Sequence, residues 1–174
     1  MQFETIFIGG VLGVGKSSFC RHVVERFDVE HVTASSLIAK HIEHRADKTV
    51  VDVENNQLIL AQELHKYKTN CANILLDGHF CLLTTTSDIE EVPLETFKAI
   101  SPRAIILLID SPDAIAKRIS DRDNYQHKTE KVNALQSKEI ERANFVSSSL
   151  EVPITIIEVG ADLNNSIDKV SPYL

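Results

Sequence analysis

The chain is poor in cysteine, with Cys20, Cys71 and Cys81 as its three, and no two of them stand in Cys-x-x-Cys spacing. That excludes a disulfide framework and a thiolate zinc site. All three read as small buried hydrophobes in a reducing compartment. No apolar run approaches the ~20 residues that span a bilayer. The N-terminal stretch from Met1 to Ile8 has no basic segment and no cleavage site, so it reads as a buried strand and not as a signal peptide. A cytoplasmic location without a membrane partner is the expectation. Basic charge is also short: 18 Lys and Arg against 25 Asp and Glu leave a net charge of −7. This argues against a nucleic-acid partner, although a phosphate site needs only a few cations. No internal repeat, low-complexity tract or linker breaks the 174 residues, and this length suits one domain with a substantial core.

What the chain does have is alternation. Short apolar runs lie at Phe3–Gly9, Val29–Thr33, Asn73–Asp77, Ala104–Asp110 and Ile154–Val159. Helical patterns separate them: Phe19, Val23 and Phe27 on one face, then Leu37–Glu43 behind Ser35 or Ser36, then Leu60, Leu64 and Tyr67. Further helices are expected over Pro93–Ile100, from Ser111 and Pro112 to about Arg122, over Lys131–Leu150 and over Leu163–Val170. Val132, Leu135, Ala143, Val146 and Leu150 form the stripe of the longest. Strand and helix in turn predict an α/β fold with a parallel sheet. The unbroken run Ala104–Asp110 predicts a central strand buried on both faces. Thr84–Val92 reads as an exposed loop, and Asp123–Thr129 as a polar, mobile one.

One motif is specific. Gly10-Val11-Leu12-Gly13-Val14-Gly15-Lys16-Ser17 fits G-x-x-x-x-G-K-[ST] at every fixed position. Glycines let the backbone curl until successive N–H groups point at a phosphate. Lys16 supplies charge to the β- and γ-phosphates, the Ser17 hydroxyl a ligand for Mg²⁺, and the helix start behind Gly15 a favourable dipole. An apolar strand enters this loop and an amphipathic helix leaves it, as the motif requires. The phosphate-binding set is therefore Gly10, Gly13, Val14, Gly15, Lys16, Ser17 and Ser18. A carboxylate at a neighbouring strand end should complete the Mg²⁺ shell. Asp77 and Asp110 both end strands. Asp77 is favoured, with Ser17, as the metal pair, because Gly78-His79 permits an open turn, whereas Asp110 precedes Ser-Pro and reads as part of a helix start.

These residues together resemble the adenylate kinase and nucleoside monophosphate kinase group of P-loop proteins, most closely its compact archaeal-type and eukaryotic nuclear members. The likeness rests on the loop at 10–18, on Ile74-Leu75-Leu76-Asp77-Gly78-His79, and on Lys117–Asp123 followed by a short lid and a helix bearing Arg142. The resemblance implies a three-layer P-loop fold: a five-stranded parallel sheet in order 2-3-1-4-5, helices on both faces, and one kinase-like domain over 1–174 with a lid near 123–129. It implies γ-phosphoryl transfer from Mg-ATP, with Lys16, Asp77, Arg118, Arg122 and Arg142 as catalytic residues. The chain departs from the pattern at Leu12, where the family has Pro. It also has no Arg at Ser35–Lys40 or just after Asp77, where longer members carry one.

The expectation is an ATP-dependent small-molecule kinase with a nucleotide acceptor. Lys40, Arg45, Asn56 and Gln57 are candidates to line the acceptor pocket, and His79 stands either over the acceptor or packed at the strand end. Two alternatives stay open: a nucleotide-dependent regulatory ATPase touching a protein partner through 84–91, and a polynucleotide-end kinase.

Overall fold

The computed structural model of the protein describes residues 3–42, 53–83, 88–124, 127–160 and 163–174. Arg45 lies outside them, as do residues 84–87. Five strands form the main sheet: β1 (Glu4–Gly9), β2 (Glu30–Thr33), β3 (Asn73–Asp77), β6 (Ala104–Ile109) and β7 (Ile154–Glu158). All four pairings are parallel. Their order is β2-β3-β1-β6-β7. Counting only these strands, this is the expected 2-3-1-4-5. The strands between α3 and α4 belong elsewhere: β4 (Cys81–Leu83) and β5 (Ile89–Glu91) pair antiparallel in a two-stranded sheet. The expected exposed loop at 84–92 is thus corrected in its second half. A three-residue strand rich in acid gives no readable alternation, and pairing to Cys81–Leu83 decides its conformation.

Helices fill the crossovers: α1 (Lys16–Arg26), α2 (Ala34–Ile42), α3 (Val53–Lys66), α4 (Leu94–Ile100), α5 (Pro112–Asp123), α6 (Thr129–Leu150) and α7 (Leu163–Asp168). Their starts follow local chemistry. The Ser111 hydroxyl accepts from the Ala114 N–H, with Pro112 in the first turn of α5. For α2 the cap is Thr33, not Ser35 or Ser36: its hydroxyl accepts from the Ser36 N–H at 3.1 Å. Helix α1 is the exception. Gly15 precedes it with φ 109° and gives no side-chain cap, so the first-turn N–H groups are left for a ligand.

The central strands alternate between two cores. Ile6, Ile8, Leu75, Ile106 and Leu108 pack with Phe19 and Val23 of α1 and Ile115 and Ile119 of α5. Phe7, Ile74, Leu76, Ile105 and Leu107 pack on the other face with Leu60, Leu64, Phe97 and Val146. Every residue of Ala104–Leu108 is fully buried, as the unbroken run predicts for a central parallel strand. The long α6 contributes to both cores, Val132 and Leu135 to the first and Ala143 and Val146 to the second. The β1, β3 and β6 carboxyl ends therefore meet at one edge, where the glycine loop leaves β1.

Candidate active site

The loop 10–15 holds its shape through glycine at two positions in particular. Gly10 has φ 139° and a Cβ there would meet the Leu108 carbonyl oxygen at 2.6 Å. Gly13 has φ 81° and a Cβ would meet Ile119 at 2.4 Å. A side chain at either place would be strained in its own backbone and would push on β6 or α5.

Lys16 reaches back under this loop and is 8% exposed. Its Nζ donates to the Gly10 carbonyl at 2.7 Å and the Val11 carbonyl at 3.4 Å, and stands 4.0 Å from Asp77 Oδ1. Burial pushes the ammonium down from the ordinary lysine value, while the charges of Asp77 and Glu139 pull it back up. Asp77, 7% exposed, ends β3. Its Oδ2 accepts from the Ser17 hydroxyl at 3.3 Å and lies 3.4 Å from His31 Nε2. Two hard oxygen groups thus face each other beside a helix start, a donor pair that fits Mg²⁺. Cys20, His31 and Asp77 also place ligand atoms within 4.8 Å of one another. Burial and the neighbouring Asp77 push the Cys20 thiol far up.

The expected arginines separate. Arg122 lines the cavity over the loop and pairs with Asp123 through Nε at 2.6 Å. Arg118 stands behind the loop, donating to the carbonyls of Gly13 at 2.8 Å and Val14 at 3.1 Å and to the Asp110 carboxylate. Arg142 is held elsewhere. It donates to the Val92 carbonyl at 2.7 Å, pairs with Glu91 at 2.9 Å and lies over the Phe145 ring. To touch a phosphate it would have to leave three partners. Ser18 is exposed on α1 and accepts from Arg21 at 3.4 Å. Val14, buried in the loop, packs into the first core.

A cavity of about 530 Å³ opens from the loop. Lys16, Ser17, Asp77 and Arg122 line one side; Gln57, His79 and residues of α2, α3 and α4 line the other. Of the other acceptor candidates, Lys40 and Asn56 sit where the backbone alone is described.

Two polar groups beside the site were not expected. One is His31, on β2 beside Asp77; nothing local marks it, and only the parallel pairing of β2 with β3 puts it there. The other is Glu139 of α6, 1% exposed. Its Oε2 accepts from the Phe80 and Cys81 N–H groups, both at 2.7 Å. Its Oε1 has no hydrogen-bond partner and faces His79 Nδ1 at 3.6 Å. The sequence held a signal for it: Glu139 occupies the apolar stripe between Leu135 and Ala143, where a charge needs a reason.

A family model described as an AAA domain matches residues 9–136. No curated protein matches the chain. Among solved structures, a gluconokinase from Sinorhizobium meliloti 1021 aligns with TM-score 0.59 at 15% identity, over 97% of this chain and 89% of that one. An uncharacterized protein from Eubacterium ventriosum ATCC 27560 aligns with TM-score 0.53 at 16% identity, over 99% and 98%. At these identities the likeness shows the α/β fold. None of the helices among the described residues is long and apolar enough to cross a membrane.

Proposed function

The chain belongs to the AAA domain family, and from that premise we propose that it is an ATP-dependent small-molecule kinase, with residues 1–174 working as one domain. The observation that carries this reading is the continuity of the cavity. One cavity is lined both by the phosphate loop with its buried Lys16–Asp77 pair and by residues of α2, α3 and α4. Hydrolysis alone needs only water and no such chamber.

In this reading the nucleotide's β- and γ-phosphates take over the bonds that Lys16 now makes to Gly10 and Val11, and the first-turn N–H groups of α1 complete the cradle. Ser17 and Asp77 hold Mg²⁺, which supplies neutralisation of the phosphate oxygens. Arg122 exchanges Asp123 for the transferring group, its fork suited to two oxygens at once. Arg118 is a positioning residue that braces the loop carbonyls of Gly13 and Val14. Arg142 braces Val92 at the rim of the chamber. A water-excluding lid is expected near 123–129, of which residues 125–126 lie outside the described ones; the His127 N–H donates to the Ser120 hydroxyl of α5 at 2.9 Å.

ADP release from ATP, measured against a panel of acceptors, tests the proposal. Release should depend on an acceptor and vanish in Lys16→Ala. ADP release indifferent to every acceptor would favour the regulatory ATPase. The resemblance to nucleoside monophosphate kinases points to a nucleotide as the acceptor.

A further inference from the structure

We propose that Gln136, Glu139 and Arg142 of α6 are positioning residues: one face of one helix fixes the main chain on both sides of the cavity, and so sets where the acceptor lies relative to the phosphate loop. The proposal rests on the kinase reading and assigns the residues that align its two substrates.

The three positions follow one another at intervals of three, which makes them neighbours on one helical face. Gln136 and Glu139 are buried in the same stretch as Leu135 and Ala143, and buried polar groups need partners. Each of the three side chains is bonded twice, and each time to main-chain atoms. Gln136 accepts from the Asp110 N–H at 3.2 Å and donates to the Asp110 carbonyl at 2.9 Å. Glu139 Oε2 accepts from the Phe80 and Cys81 N–H groups, both at 2.7 Å. Arg142 donates from Nε at 3.2 Å and from Nη2 at 2.7 Å to the Val92 carbonyl. A residue that only filled the interior would be apolar here. Paired bonds to the main chain fix both the place and the orientation of three segments that are far apart in the sequence.

What these segments carry gives the face its role. The Asp110 carboxylate accepts from Arg118, which donates to the Gly13 and Val14 carbonyls of the phosphate loop. Gln136 thus reaches the donor side through two links. Phe80 and Cys81 stand between His79 and Leu82, which both line the cavity. Val92 lines it as well, and its N–H donates to the Phe80 carbonyl at 2.9 Å. Glu139 and Arg142 therefore grip one connected piece of the acceptor-side wall, from the two ends of the Phe80–Val92 bond. Phosphoryl transfer needs the acceptor oxygen in line with the bond that breaks, and a misplacement of about 1 Å costs about 10²-fold in rate. Helix α6 is the common reference from which the two sides are spaced.

The test compares Gln136→Met, Glu139→Met and Arg142→Met in the full chain, since methionine fills similar space and donates no hydrogen bond. Calorimetry with Mg²⁺ and a non-hydrolysable ATP analogue reads the donor side alone. Gln136→Met should weaken binding about fivefold, and the other two should leave it unchanged. Equal weakening in all three variants overturns the two-sided assignment, as does an unchanged affinity in Gln136→Met. Initial rates with AMP, CMP, GMP, UMP and gluconate read the acceptor side, with ADP and phosphorylated acceptor both counted. For the acceptor that the wild type uses best, Glu139→Met and Arg142→Met should raise KM about tenfold. They should also release more ADP per acceptor phosphorylated, as water reaches the γ-phosphorus in place of a misplaced oxygen. Glu139→Gln keeps an oxygen for both N–H groups and should restore KM and the ratio, which keeps the idea falsifiable if Glu139→Met fails to fold. A lower melting temperature with KM and the ratio unmoved would leave these residues merely structural and overturn the inference. A fall of kcat in Arg142→Met at unchanged acceptor KM would put Arg142 on the phosphate instead. Wild-type ADP release that ignores all five acceptors sinks the kinase reading itself.

Discussion

The two sides of the cavity are built by different rules. The loop side is a dense polar network in which Lys16, Ser17, Asp77 and Arg118 each hold a named partner. It joins segments from β1, α1, β3 and α5, with Lys16 and Ser17 supplied by one eight-residue run. The far side is mostly aliphatic and is assembled from α2, α3, β4 and α4. Polar geometry there is sparse, and position is set by packing on Phe7, Phe80 and Phe97, whose ring centroids lie 5.0 to 5.3 Å apart. A phosphate donor is the same anion in every reaction and can be gripped by fixed dipoles.

That contrast can be broken most directly at Lys16. Lys16→Ala should reduce transfer by about 10³-fold and abolish the thermal shift given by ATP. The melting temperature without ligand should change little, because relief from burying the ammonium is offset by leaving Asp77 without its cation and the Gly10 carbonyl without its donor. A large loss of stability in the ligand-free variant would make Lys16 a structural residue. Asp77→Asn comes next, with a loss of about 10- to 100-fold that is steepest at low Mg²⁺. KM for the acceptor should not move; if it does, the two sides are not separable. Gly13→Ala should destabilise the protein by about 1–3 kcal/mol, the cost of a side chain at φ 81°, and weaken ATP binding. Ile38→Ala, its counterpart on the far side, should raise acceptor KM several-fold and leave ATP affinity alone. Steady-state kinetics and urea melts read both.

The smallest expected effect is on pH. A lysine is charged below its pKa, and burial lowers that of Lys16. The charge is therefore lost at a lower pH than in a solvated lysine. ATP affinity should fall as pH rises through the alkaline range, and binding there should take up a proton. Calorimetry in two buffers of different ionisation enthalpy measures that uptake.

Legibility in the sequence follows the same division. The loop was readable because its glycines, lysine and serine are neighbours in the chain and each has a stated electrostatic task. Asp77 was readable as a strand end. Its contacts with Ser17 and His31 were not, since they join residues 60 and 46 positions away through the sheet. The sheet order entered through a family likeness and the pairings match it. Ile89–Glu91 escaped because three residues carry no period. Arg118 was read by analogy with guanidinium groups on phosphate, while here it holds loop carbonyls 105 and 104 residues away. The apolar chamber was invisible because each of its residues looks like core until the helices leave a space between them.

The bonds from Lys16 to Gly10 and Val11 have one more consequence. In the proposed kinase a phosphate competes at Lys16 Nζ with oxygen acceptors that belong to the loop itself. A lone orthophosphate offers little beyond what it displaces. Those competing acceptors are main-chain carbonyls, which no side-chain substitution can delete.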